Sequence, residues 1–271
     1  KHLPPPKKQL INSANLLTGE GLTTQTTTKN RSNNNKIDRI SRMMIDRKQL
    51  AVVAHQVAGH GQGNTSVGLL QDKDTVLKPI HLSKKAGRCE LEFYERELES
   101  VPARMRPFIP AYYGHQQVMD CTTKSVQDYI RLENLLQGFS KPCLIDIKLG
   151  YRTYDEDATT LKISQEIAKY FYQKTIGFRL SGMKIYDEES ESYQVFTREW
   201  GRSIAPSKMR QELRRFFYPA SREGRDEVLQ NRLQQFIDKL RELLEIFEQD
   251  NDKYRFYASS ILCVYEGDWN S

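Results

Sequence analysis

The decapeptide Lys141-Pro142-Cys143-Leu144-Ile145-Asp146-Ile147-Lys148-Leu149-Gly150 lies near the middle of the chain and wraps an acid and a base in the apolar residues Cys143, Leu144, Ile145 and Ile147. Burying a lone charge in such a run costs several kcal/mol, so Asp146 and Lys148 must answer each other or face a wet or ligand-filled cavity. Side chains at i and i+2 of a strand share a face. A strand therefore puts Asp146 and Lys148 on one side and Ile145, Ile147 and Leu149 on the other. Pro142 fits a first strand position and Gly150 an exit. Two readings stay open at this point: a buried strand delivering two charges to a site, or an edge strand with a surface ion pair.

Composition narrows the setting. The chain has 271 residues, 38% of them hydrophobic, and a net charge of +6 from 41 Lys and Arg against 35 acids. That length buries a real core and holds one large or two small domains. A basic excess suits an anionic ligand without choosing among phosphates, nucleic acid and an acidic membrane surface. Cys89, Cys121, Cys143 and Cys263 are far apart, which argues against metal fingers and a disulfide framework and fits a reducing nuclear or cytoplasmic setting. The start, Lys1-His2-Leu3-Pro4-Pro5-Pro6, has neither an initiator Met nor an apolar signal core, as a piece of a longer protein would.

Residues 1–47 are rich in Thr, Asn and Ser and poor in aromatics, so this segment is expected to be disordered or a linker, with Lys36 to Lys48 as a solvated basic run. Beyond it, residues 50–57, 67–71 and 75–80 read as strands, the last two joined by a turn at Asp72-Lys73-Asp74. Ser83 reads as the N-cap of a helix through Leu98 with Leu91, Tyr94 and Leu98 buried. Strands are expected at 111–116 and 125–135. After the decapeptide come a helix over 160–173 with Ile163, Ile167, Tyr170 and Phe171 inward, a hairpin around Asp187 to Ser190, helices near 207–218 and 225–249, and β structure from Tyr254 to Tyr265. This order describes a small lobe over 48–136 hinged to a larger α+β lobe over 137–271. No Walker-type loop occurs, and Gly59-His60-Gly61-Gln62-Gly63 lacks phosphate-loop spacing.

The spacing Pro142, Asp146, Lys148, Gly150 resembles the Pro-x-x-x-Asp-x-Lys-x-Gly signature of the inositol polyphosphate kinases. The segments His55 to His60, Glu90 to Tyr94, Phe178 to Tyr186, Gly201-Arg202-Ser203 and Phe256 to Leu262 match as well, most of all the multikinase branch, over about 50–267. The resemblance implies an α+β, two-lobed, kinase-like fold with a β-rich ATP-binding small lobe. It also implies ATP and Mg2+ as cofactors, and phosphorylation of hydroxyls on inositol tris- and tetrakisphosphates or on phosphoinositide lipid head groups. The protein is expected to be a monomer, and without the interleaved aromatics of a stacking platform no stable nucleic-acid partner is expected.

The resemblance also assigns roles. Lys78 would reach the ATP phosphates and pair with a helix acid, Glu90 ahead of Glu92 and Glu97. Glu133 and Leu135 would read the adenine edge through the hinge backbone. Val57 and Val76 would cover the purine or serve as plain core. Asp146 would lie beside the reacting hydroxyl and the nucleotide, and Lys148 would meet the transferred group. Lys162, Gln165 and Lys169, at i, i+3 and i+7, share a helix face that suits several phosphates or plain solvent. Arg152 would add to the phosphate site or stay exposed. Glu166 stands where the family leads one to expect glutamine.

The family's metal aspartate belongs to an Ile-Asp-Phe segment, and the sequence reaches Tyr265-Glu266-Gly267-Asp268-Trp269-Asn270-Ser271 before any such segment. No metal ligand is therefore assigned. The expectation is a C-terminally truncated kinase, with residues 1–271 alone nearly inactive. Two rival readings stay open: a non-catalytic scaffold that binds inositol phosphate or nucleotide, and a basic nucleic-acid module favoured by the net charge and the run from Lys36 to Lys48.

Overall fold

The structure, a computed structural model, describes residues 9–15, 22–24, 44–53, 68–72, 74–218 and 226–268. Val57 and the glycine-dense stretch from Gly59 to Gly63 lie outside the described residues. Two strands, β1 (Gln9–Asn15) and β2 (Leu22–Thr24), form inside the segment expected to be disordered. Each joins a partner strand from the far end of the chain. A polar segment that cannot build a core can still satisfy its backbone on an open sheet edge, which sequence polarity does not reveal.

The small lobe is one six-stranded sheet. Its strands are β3 (Ile45–Asp46), β4 (Ala51–Val52), β5 (Leu70–Asp72), β6 (Thr75–Ile80), β7 (Tyr112–Asp120) and β8 (Ser125–Glu133), in the order β3-β7-β8-β6-β5-β4. β5 and β6 pair with Asp72 opposite Thr75, as the turn reading predicts. On β6, Leu77 packs with Leu70, Val118 and Tyr129 on one face, so Val76, Lys78 and Ile80 point to the other.

That second face is covered by α1 (Lys85–Glu92). Lys84 is its N-cap residue and makes no side-chain cap, so the Ser83 cap is corrected: the His81 carbonyl already accepts from the Lys84 amide. Gly87 fits here because a Cβ would come within 2.4 Å of the His81 oxygen. The α-helical turns stop at Glu92, but the helical backbone continues to the expected Leu98 through a π-helical stretch over Phe93–Glu97 that buries Phe93 and Tyr94.

The large lobe is organised on β9 (Pro142–Leu149), followed by α2 (Thr160–Lys169), α3 (Gln173–Ile176), β10 (Phe178–Asp187), β11 (Ser192–Phe196), α4 (Arg198–Ser203), α5 (Pro206–Phe217), α6 (Asp226–Glu245), β12 (Tyr254–Phe256) and β13 (Ser260–Glu266). The sheet runs β1-β13-β9-β10-β11, so β9 is its central strand and the edge-strand reading is excluded. One continuous core joins the lobes, with Ile80, Phe93 and Ile130 from the small lobe packed with Ile145, Leu180 and Met183 from the large sheet. Among the described residues no helix is long and apolar enough to cross a membrane.

Gly201 fixes how α4 lies on β10. A Cβ there would stand 1.9 Å from the Leu180 carbonyl oxygen, which is backbone and cannot step aside. Gly201→Ala is expected to lower unfolding stability by about 3 kcal/mol, the scale of overpacking strain. Urea unfolding measures this, and an unchanged midpoint would show that the helix can shift freely.

Candidate active site

The register of β9 sorts its side chains. Ile145 lies opposite Met183 and Cys263, and Ile147 opposite Leu180 and Ile261, which makes an apolar face. Lys148 lies opposite Arg179 and Ser260, and Asp146 opposite Gly182 and Leu262. A register shift in β10 between Leu180 and Gly182 lets Arg179 and Gly182 serve the same face. Asp146 is only 3% exposed.

The Lys148 ammonium donates to the Ala258 carbonyl at 2.6 Å. Ala258 sits at φ +52°, in the left-handed region, which costs a residue with a Cβ roughly 1 kcal/mol. The chain accepts that strain at the residue whose oxygen meets Lys148. Burial pushes Lys148 down to about 8; Asp146 opposes the shift, and the charges of Arg179, Lys78 and Lys169 add to it.

Lys78 donates to a Glu90 carboxylate oxygen, and both groups are largely buried. The competing acids are engaged elsewhere: Glu92 pairs with Arg96, and Glu97 accepts from Lys253 and Tyr254. Burial lowers the Lys78 pKa and raises that of Glu90, against their mutual attraction. Lys78 also feels Asp146, and Glu90 feels Lys148. Four side chains from β6, α1 and β9 thus form one field of alternating sign where the lobes meet. An anion arriving beside Lys78 would oppose that drop and favour the ammonium.

On α2 the geometry differs from the expectation. The inward residue is Glu166, 4% exposed, while Ile167 and Phe171 are exposed and Gln165 faces solvent. The helix stops at Lys169, because Tyr170 turns extended and buries its ring with its hydroxyl donating to the Ile204 carbonyl at 2.7 Å. Lys162 and Lys169 both bind Glu166, at 2.8 and 2.5 Å, so the structure brings these two lysines together and leaves Gln165 apart.

Arg152 is held beyond the strand end, donating to the Tyr257 hydroxyl at 2.6 Å and lying 3.6 Å from Glu156. At the junction of the lobes, the Glu133 amide donates to the Ala111 carbonyl and its side chain accepts from the Ala111 amide. Leu135 is buried, and Val76 is half-buried opposite Leu132.

The residue that sequence reasoning missed is Arg179. It is 6% exposed and donates to Gln173 Oε1 at 3.0 Å, while Gln173 in turn donates to the Gly150 carbonyl at 2.6 Å. Burial lowers its pKa, Glu166 and Asp146 oppose, and the nearby charges of Arg202 and Arg198 reinforce the drop. Arg179 therefore links the Asp146–Lys148 pair to the Glu166 cluster. Only the register across from Lys148 would have pointed to it.

Comparison with known proteins agrees with this architecture. The family model for inositol polyphosphate kinase matches residues 129–271. Human inositol polyphosphate multikinase is 36% identical over 221 residues, 79% of this chain and 51% of that protein, so the chain spans about half its length. Inositol polyphosphate multikinase alpha of Arabidopsis thaliana is 31% identical over 232 residues, 81% of this chain and 80% of that protein. A solved structure of an inositol phosphate multikinase from S. cerevisiae, in complex with ADP and Mn2+, superposes with a TM-score of 0.55 at 28% identity, covering 72% of this chain and 76% of that one. With a two-lobed kinase-like fold and more than half its length matched by the family model, the chain belongs to the inositol polyphosphate kinase family.

Proposed function

We propose that this chain carries the site of an ATP-dependent kinase that phosphorylates hydroxyls on inositol polyphosphates. The observation that supports this reading is the buried run of alternating charge, Lys78, Glu90, Asp146 and Lys148, continuing through Arg179 into the lysines of α2. Phosphoryl transfer needs positioning and charge neutralisation more than covalent help from the protein. Lys78, aimed by Glu90, suits nucleotide phosphates. In this reading Asp146 accepts a hydrogen bond from the attacking hydroxyl, and Lys148 stabilises charge on the group in transit. The yeast relative holds ADP and Mn2+. A nucleotide fits the residues here, with Glu133 and Leu135 proposed at the adenine edge.

A divalent ion is not matched by the described residues, among which no three His, Cys, Asp or Glu converge. The same observation supports a second reading, in which the chain binds inositol phosphate or nucleotide without turnover.

The test offers the full-length protein ATP and Mg2+ with inositol tris-, tetrakis- and hexakisphosphate, or with phosphoinositide vesicles, and resolves the products by chromatography. New phosphate esters on the tris- or tetrakisphosphate support the reading. Binding by calorimetry without any product favours the scaffold. The pH profile gives a further check. Lys148 must be protonated to stabilise phosphoryl charge, so kcat/KM is expected to fall as pH rises through about 8, the free-enzyme value. In kcat the same limb should lie higher, because bound phosphate favours the ammonium.

A further inference from the structure

α2 is turned inside out relative to an ordinary surface helix. Leu161, Ile167 and Phe171, on α2 and just beyond its end, lie at the surface, while a carboxylate, Glu166, is buried in its place. A buried carboxylate needs compensation. Here it receives two ammonium groups, Lys162 at 2.8 Å and Lys169 at 2.5 Å, and the Thr153 hydroxyl at 3.3 Å. Burial pushes its pKa up, but the hydrogen bonds from Lys162 and Lys169 outweigh this and hold Glu166 ionised at neutral pH. Its charge reaches Arg179, which also feels Asp146, and Lys169 reaches Lys148. The carboxylate therefore occupies, within the same cationic field, the kind of position that a phosphate of a bound ligand would take.

We propose that Glu166 is a specificity-determining residue: an internal anion that holds Lys162 and Lys169, so that a substrate phosphate at this end of the site must compete with it. This rests on the inositol phosphate reading of the site and deepens it. Each added phosphate on the ligand side of α2 meets a carboxylate as well as two lysines, and the site is thereby biased towards less phosphorylated rings. Neutralising Glu166 releases both lysines and should favour the most highly charged ligands. Two unit charges a few ångströms apart near a protein surface interact strongly enough for a roughly tenfold change in affinity to survive screening by salt.

The experiment is calorimetric titration of full-length wild type, Glu166→Gln and Glu166→Asp with inositol trisphosphate and inositol hexakisphosphate, with thermal melts to establish folding. Glu166→Gln is expected to bind the hexakisphosphate about tenfold more tightly and the trisphosphate less than about threefold more tightly, while Glu166→Asp stays near wild type. A merely structural Glu166 would not move the ratio between the two ligands. Lys162→Met, made in both backgrounds, gives a second route: it should weaken hexakisphosphate binding more in Glu166→Gln than in wild type. Wild-type binding with an unchanged ratio in Glu166→Gln and equal effects of Lys162→Met overturns the proposal and leaves the substrate reading standing. Failure of every variant, wild type included, to bind either ligand overturns both.

Discussion

Replacing Asp146 with asparagine is expected to reduce turnover about a thousandfold, within the range that a positioned proton acceptor contributes. The side chain is buried at 3% exposure, and both Lys78 and Lys148 feel its charge. Asparagine keeps the shape and removes the charge, so two things change together. The hydroxyl loses its acceptor, and Lys148 loses the charge that most opposes its drop. Its pKa then falls below about 8, and the alkaline limb of residual kcat/KM should move to lower pH. Parallel measurement of turnover and of the pH profile checks both. Turnover within tenfold of wild type, or a limb that stays in place, would remove Asp146 from the chemistry.

The second large effect concerns Lys78. Lys78→Met should abolish measurable transfer and also cost about 3–5 kcal/mol of stability, because Glu90 remains buried at 8% exposure without its ammonium. Glu90 can relieve this by taking up a proton. Its folded pKa, already raised by burial, then rises further above its unfolded value. Between those two values the folded state binds more protons than the unfolded chain, so the variant should lose stability as pH rises through that window. Lys78→Met/Glu90→Leu removes both charges and is expected to regain most of the stability while staying inactive. Denaturant unfolding beside a kinase assay separates the outcomes. A double variant that is active, or as unstable as the single one, contradicts the assignment.

How much was legible follows from the range of each signal. The two faces of Pro142–Leu149 came from a period-two pattern, and the structure sorts Ile145 and Ile147 from Asp146 and Lys148 in that way. Lys78 and Glu90 lie 12 residues apart on adjacent elements; the preference for Glu90 over Glu92 and Glu97 came from the resemblance rather than from a local pattern, and it is to Glu90 that Lys78 donates. Arg179 was hidden because its place opposite Lys148 depends on a register between distant strands that no local pattern encodes. The inward face of α2 was misread because periodicity ranks apolar residues as core. The signal that could have corrected it was present, since Glu166 stands four residues after Lys162 and three before Lys169, the spacing of helical ion pairs. The left-handed Ala258 gave no local cue, being neither Gly nor Asn. Nor did the pairing of Gln9–Asn15 with the edge of β13, which turns on backbone groups rather than side chains.

The central claim is that the charges gathered from β6, α1 and β9 hold the two reacting partners together. Diffraction from crystals of the full-length protein grown with a non-hydrolysable ATP analogue and inositol trisphosphate tests it most directly. Nucleotide phosphates are expected within hydrogen-bond distance of the Lys78 ammonium. A ring hydroxyl is expected beside Asp146, and ring phosphates on Lys148, Arg179 and the lysines flanking Glu166. Nucleotide and inositol phosphate bound away from Asp146, or on opposite faces of the central strand, would contradict that claim.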